Sequence, residues 1–91
     1  MLVIVSYDIR DDKRRSKVAH ALQNFGRRVQ LSVFECLLEE AQVERLRKAL
    51  GRIIDEEEDS VRFYRLCATC EAKVEVVGQG ARTEDPDVYI V

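Results

Sequence analysis

Residues 1–7 (MLVIVSY) alternate into two faces, with Val3, Val5 and Tyr7 on one and Leu2, Ile4 and Ser6 on the other, and both are largely apolar. A strand of this kind is buried on both sides. That demand is severe for a chain of 91 residues, because a domain so small buries only roughly 60 to 65% of the surface its unfolded form exposes. The length allows one domain and excludes a two-domain enzyme. A deep private cavity is not expected, and an active site would lie on an open face or between subunits. If helices cover one side of the first strand, a second copy packed sheet to sheet about a two-fold axis would cover the other.

The rest of the chain reads as alternating elements. Asp11 or Asp12 can cap a helix in which Val18, Ala21, Leu22 and Phe25 recur at spacings of three and four, and Gly26 is placed to stop it. Residues 29–38 (VQLSVFECLL) are rich in branched and aromatic side chains and extend as one long strand or as two joined by a tight turn. Val43, Leu46, Leu50, Ile53 and Ile54 form the cleanest helical stripe, predicting a helix over about residues 41–54. Residues 61–66 and 73–77 read as strands, with Cys67 to Cys70 between them. Residues 55–59 (DEEED) read as a solvated acidic loop without the alternating ligands of a calcium site. The order predicts an α+β sandwich with two helices on one face of a mainly antiparallel sheet. Residues 1–78 form its domain, and 79–91 a linker with a short strand at 88–91 that adds to the partner's sheet edge or to its own.

Charge divides the chain. Residues 1–30 carry seven basic groups against three acidic ones, whereas 31–91 carry eight against fourteen, so a net charge of only -2 conceals a basic front third. Arg14, Arg15, Lys17, Arg27 and Arg28 are the candidate nucleic-acid-binding groups on that surface. The plainer alternative is that residues 13–17 are the solvated face of a helix. No apolar stretch approaches the roughly 20 residues of a membrane span, and no signal-peptide pattern follows Met1, which predicts a cytoplasmic protein without membrane contact. Three cysteines give no disulfide scaffold, and reduced thiols are expected.

Few residues offer nucleophilic or metal chemistry. His20 is the single histidine and is expected to face solvent, and no hydrolase signature accompanies it. Cys67-Ala-Thr-Cys70 has the two-residue gap of a zinc knuckle or redox pair, but a closed zinc site needs four ligands and only distant Cys36 and His20 remain. The four glycines fit no phosphate-cradling pattern. Asp8 stands apart, since it ends an apolar strand immediately before a basic helix, where a carboxylate is either a helix cap or a metal ligand. One carboxylate holds magnesium weakly, whereas two brought together across a two-fold axis could share one ion.

The segments Val5-Ser6-Tyr7-Asp8-Ile9, Asp11-Asp12-Lys13-Arg14-Arg15-Ser16-Lys17-Val18 and Gly26-Arg27-Arg28-Val29-Gln30-Leu31-Ser32-Val33-Phe34-Glu35 together resemble CRISPR-associated protein 2, the small partner of the spacer integrase. The resemblance implies a ferredoxin-like homodimer with sheets face to face and Mg2+ held by Asp8 across the two-fold axis. It also implies metal-dependent cleavage of single-stranded RNA or of DNA, with Asp8 and Tyr7 at the catalytic position and Arg15, Arg28, Ser32 and Phe34 in support. Lys17 stands where some relatives have arginine, which keeps the charge but loses bidentate phosphate recognition. The family's structural role is to sit between integrase dimers and hold the duplex that becomes a new spacer, a task that need not use Asp8. Three expectations follow, namely a spacer-acquisition subunit with magnesium-dependent endonuclease activity, a non-catalytic scaffold, and, outside nucleic-acid biology, a small-molecule sensor.

Overall fold

The computed structural model describes residues 1–83. Its elements are β1 (Leu2–Asp8), α1 (Asp12–Leu22), β2 (Arg27–Gln30), β3 (Val33–Leu37), α2 (Glu40–Gly51), β4 (Ser60–Leu66) and the short α3 (Ala68–Glu71). The four strands form one antiparallel sheet in the order β2-β3-β1-β4. With α1 and α2 packed on one face, this is the expected ferredoxin-like α+β sandwich.

The two-sided apolar strand occupies the inside of the sheet, where Val5 lies opposite Phe34 of β3 and Phe63 of β4. Val3, Val5 and Tyr7 face the helices and share one core with Phe34, Cys36, Val18, Leu22, Val43, Leu46 and Leu50. The other face is closed within the chain only in part. Leu2 is 1% exposed, whereas Ile4, Val33, Leu37 and Leu66 are half-buried and Tyr64 is 48% exposed.

Local chemistry explains the helix starts. Asp11 caps α1, its carboxylate accepting from the Arg14 amide at 2.8 Å. At α2 the Glu39 amide donates to Gln42 Oε1 at 2.8 Å.

Several expectations are corrected. Residues 29–38 are two strands, with β2 beginning earlier at Arg27 and Leu31 and Ser32 at the turn. The first helix ends at Leu22 and not at Gly26, which has no positive φ. A Cβ at Gly26 would lie 2.4 Å from the Glu35 carbonyl oxygen, so glycine is required there by the close approach of β3. The second helix stops at Gly51, and Ile53 and Ile54 pack on the core from the turn beyond it. Residues 73–77 form no strand. The chain leaves the sheet at Leu66 and turns through α3, and the amides of Lys73 and Val74 donate back to Cys70 and Glu71 carbonyls at 3.1 and 3.2 Å. The acidic run is not uniformly solvated, because Asp59 is buried. The strand expected at 88–91 lies outside the described residues. Among the described residues no helix is long and apolar enough to cross a membrane.

Candidate functional site

Alternation along β1 puts Asp8 on the same face as Ser6 and Ile4, opposite Ser60 at the end of β4. The carboxylate is exposed and makes no hydrogen bond or ion pair among the described residues. The capping role open to it in the sequence belongs instead to Asp11. Three clefts meet at Asp8. The first, of about 410 Å3, is lined by Tyr7, Ile9, Arg15, Ser16, Arg28 and Ser32 among others. The second, of about 180 Å3, runs along β4 past Ser6, Ser60, Arg62 and Tyr64. The third, of about 320 Å3, adds Arg10 and Glu58.

The residues around Asp8 are fixed by contacts from other elements. Tyr7 is buried, donates its hydroxyl to the Leu31 carbonyl at 3.2 Å, and lies 6.4 Å from the Phe34 ring centroid to centroid. Its amide donates to the Ser32 carbonyl at 3.1 Å, so the β2–β3 turn is clamped beside Asp8. Phe34 is fully buried, and the Arg28 guanidinium sits 5.4 Å from the centre of its ring. Arg15 Nη1 donates to the carbonyls of Ile9 and Arg10 at 3.0 and 3.1 Å, and Nη2 pairs with Asp12. The backbone leaving Asp8 is thereby tied to α1.

Of the five predicted phosphate-facing cations, the fold brings only Arg15 and Arg28 to Asp8. Arg14 is turned inward. Its Nε donates to Asp59 Oδ2 at 2.7 Å and its Nη2 to Asp59 Oδ1 at 3.2 Å and Glu58 Oε2 at 3.1 Å. This bidentate contact holds the Asp59 carboxyl below the usual carboxylate range and raises the Arg14 guanidinium further, against the opposing effect of desolvation. Arg27 is engaged by the chain that follows α3, donating to Thr83 Oγ1 at 2.9 Å and to the Ala81 carbonyl. Lys17 lies on the outer side of α1 in a separate groove with His20 and Ile53. His20 is exposed, as expected.

Sequence inspection missed Arg10, Ser16, Ser60, Arg62 and Tyr64 as neighbours of Asp8. The alternation of β4 could have located Ser60, Arg62 and Tyr64 on one face, but its register against β1 was not legible.

The family model described as CRISPR associated protein Cas2 matches residues 1–74. The chain is 47% identical over 93 residues to the CRISPR-associated endoribonuclease Cas2 1 of Chloroflexus aurantiacus, covering 100% of both chains. Among solved structures, Cas2 of Streptococcus pyogenes superposes with a TM-score of 0.75 at 40% identity, covering 86% of this chain and 100% of that one. A chain of a partial Cas6-RT-Cas1–Cas2 complex superposes with a TM-score of 0.71 at 30% identity, covering 84% and 89%.

Proposed function

Because this chain belongs to the CRISPR-associated Cas2 family, we propose that it serves CRISPR adaptation in the cytoplasm as a homodimeric, nucleic-acid-binding subunit beside the Cas1 integrase, with Asp8 supporting magnesium-dependent phosphodiester hydrolysis of single-stranded RNA or duplex DNA. The name of the Chloroflexus relative and the composition of the solved complex support the two halves of this reading. The observation that carries it is the position of Asp8, an exposed carboxylate without a partner among the described residues, where three clefts converge beside Arg15 and Arg28.

The donor set fits magnesium in a limited way. Asp8 is a hard oxygen ligand at an open, water-accessible position, and that ion commonly takes only one or two carboxylates from protein. A second copy would contribute the second Asp8. When bound there, Mg2+ would supply an activated water and stabilise charge on the phosphoryl group. The chain's own residues do the positioning. Arg28, seated on Phe34, is the cation of the cleft that meets a phosphate oxygen. Arg15 divides its donors between Asp12 and the carbonyls of Ile9 and Arg10, so it holds the backbone just after Asp8 as well as adding charge. Tyr7 and Ser32 hold the β2–β3 turn that forms the cleft wall.

A non-catalytic scaffold is the second reading. It is favoured by exposed Lys13 and Lys17, which carry basic charge along α1 outside the clefts that meet at Asp8. One set of measurements separates the two, namely cleavage of RNA and duplex DNA by wild type and Asp8→Asn, with magnesium and with chelator. Hydrolysis predicts loss on the order of 10²-fold or more in Asp8→Asn, the scale seen when a group stabilising transition-state charge is removed, with the dimer intact. Unchanged cleavage in that variant rejects it. The scaffold reading predicts intact spacer acquisition in Asp8→Asn and its loss when Lys13, Lys17 and Arg28 are reversed, with binding that weakens steeply with salt. Arg14 is left out of that reversal because its pair with Asp59 is structural.

A further inference from the structure

Cys67 and Cys70 play no part in the Asp8 site. They lie where the chain leaves β4 and turns into α3, and both are exposed. The Cys70 amide donates to Cys67 Sγ at 3.5 Å. Residues three apart on a helical turn are surface neighbours, and Cys67 opens the turn in which Cys70 sits. The two thiols therefore stand on one helical turn, both open to solvent.

We propose that Cys67 and Cys70 form a thiol–disulfide exchange site whose substrates are small-molecule disulfides, with Cys67 as the attacking thiolate and Cys70 as the resolving thiol. In the first step the Cys67 thiolate attacks one sulfur of the small disulfide. A Cys67–S–S–R bond forms, the R–S–S–R bond breaks, and RS⁻ leaves and takes a proton from water. In the second step Cys70 gives its proton to solvent and attacks Cys67 Sγ. The Cys67–Cys70 bond forms and the second RS⁻ leaves, so two electrons pass from the cysteine pair to one small disulfide, which becomes two thiols.

The surroundings assign the two roles. Donation from the Cys70 amide, and then from its thiol, lowers the Cys67 thiol below its ordinary range, while the same thiol contact raises Cys70. Cys36 cannot substitute for either, because it is buried in the core and burial pushes its thiol up to about 11. Neither exposed sulfur has a third ligating group beside it among the described residues. Disulfide exchange needs only the two sulfurs, whereas a closed zinc site needs four ligands.

The test incubates the full chain, reduced and free of oxygen, with oxidised glutathione, followed by acid quenching and mass mapping. Wild type is expected to lose two hydrogens from the peptide carrying both cysteines. Cys70→Ser is expected to stop with one glutathione on Cys67, and Cys67→Ser to react at Cys70 at least about tenfold more slowly. The proposal is overturned by glutathione accumulating on both cysteines of wild type without their joining, or by closure no faster in the folded chain than in urea. It is overturned equally by zinc retained one per chain on the purified protein whose removal by chelator first exposes the pair. None of these readouts depends on Asp8.

Discussion

Asp59 shows how one residue in a uniform run acquires a distinct chemistry. Its four acidic predecessors face solvent to varying degrees, whereas its side chain is 0% exposed and bonded to Arg14 and to the Asp55 amide. Those contacts lower its pKa in the folded state, so the stability they confer is present above the ordinary carboxylate value of about 3.9 and is lost as pH falls through the lower folded value. Urea midpoints measured from pH 7 down to pH 2 should therefore fall through that acid window in wild type. In Asp59→Asn the midpoint should be lower at pH 7 and the acid limb flatter, because the titrating group is gone. Equal acid limbs in the two proteins would show that other carboxylates dominate. Nothing in DEEED distinguishes its last member locally, because burial here depends on α1 arriving from 45 positions away.

Between α1 and β2 the controlling element is a close approach and not a helix cap. At Gly26 an added methyl would meet the Glu35 carbonyl at 2.4 Å, Cys36 Sγ at 2.5 Å and Cys36 Cα at 2.8 Å, two of them backbone atoms of a paired strand that cannot move aside. Gly26→Ala should cost about 1 to 3 kcal/mol, the usual range for overpacking, read as a lower urea midpoint. Because this segment leads into β2 and Arg28, the variant should also weaken nucleic-acid binding more than a purely global destabilisation of that size. An unchanged midpoint would mean that the helix-to-strand connection relaxes freely. The glycine was visible in the sequence as a helix stop, but the correct reason for it was not, since a strand packed against the backbone leaves no local pattern.

At the scale of the molecule, α1 and α2 cover one sheet face and leave Ile4, Val33, Leu37, Leu66 and Tyr64 partly open on the other. If two copies close that face, the solution mass at micromolar concentration should be twice that of one chain. Ile4→Lys should then return a single folded chain, since Ile4 pairs with Glu35 across the strands and a lysine there is tolerated by one copy. Burying two such lysines between copies is strongly unfavourable. Sedimentation checks the mass and circular dichroism the fold; a wild-type mass of one chain would remove the basis for a shared magnesium ion.

By itself, the order of residues determined a first strand apolar on both faces and the strand–helix alternation after it, because periods of 2 and 3.6 are set by backbone geometry and need no partner. Only the tertiary structure decided which cations reach Asp8, that Arg14 is spent on Asp59, and that residues 73–77 leave the sheet. A side chain's face is a local property, but its partner is chosen by segments far apart in sequence that meet only after the core has closed.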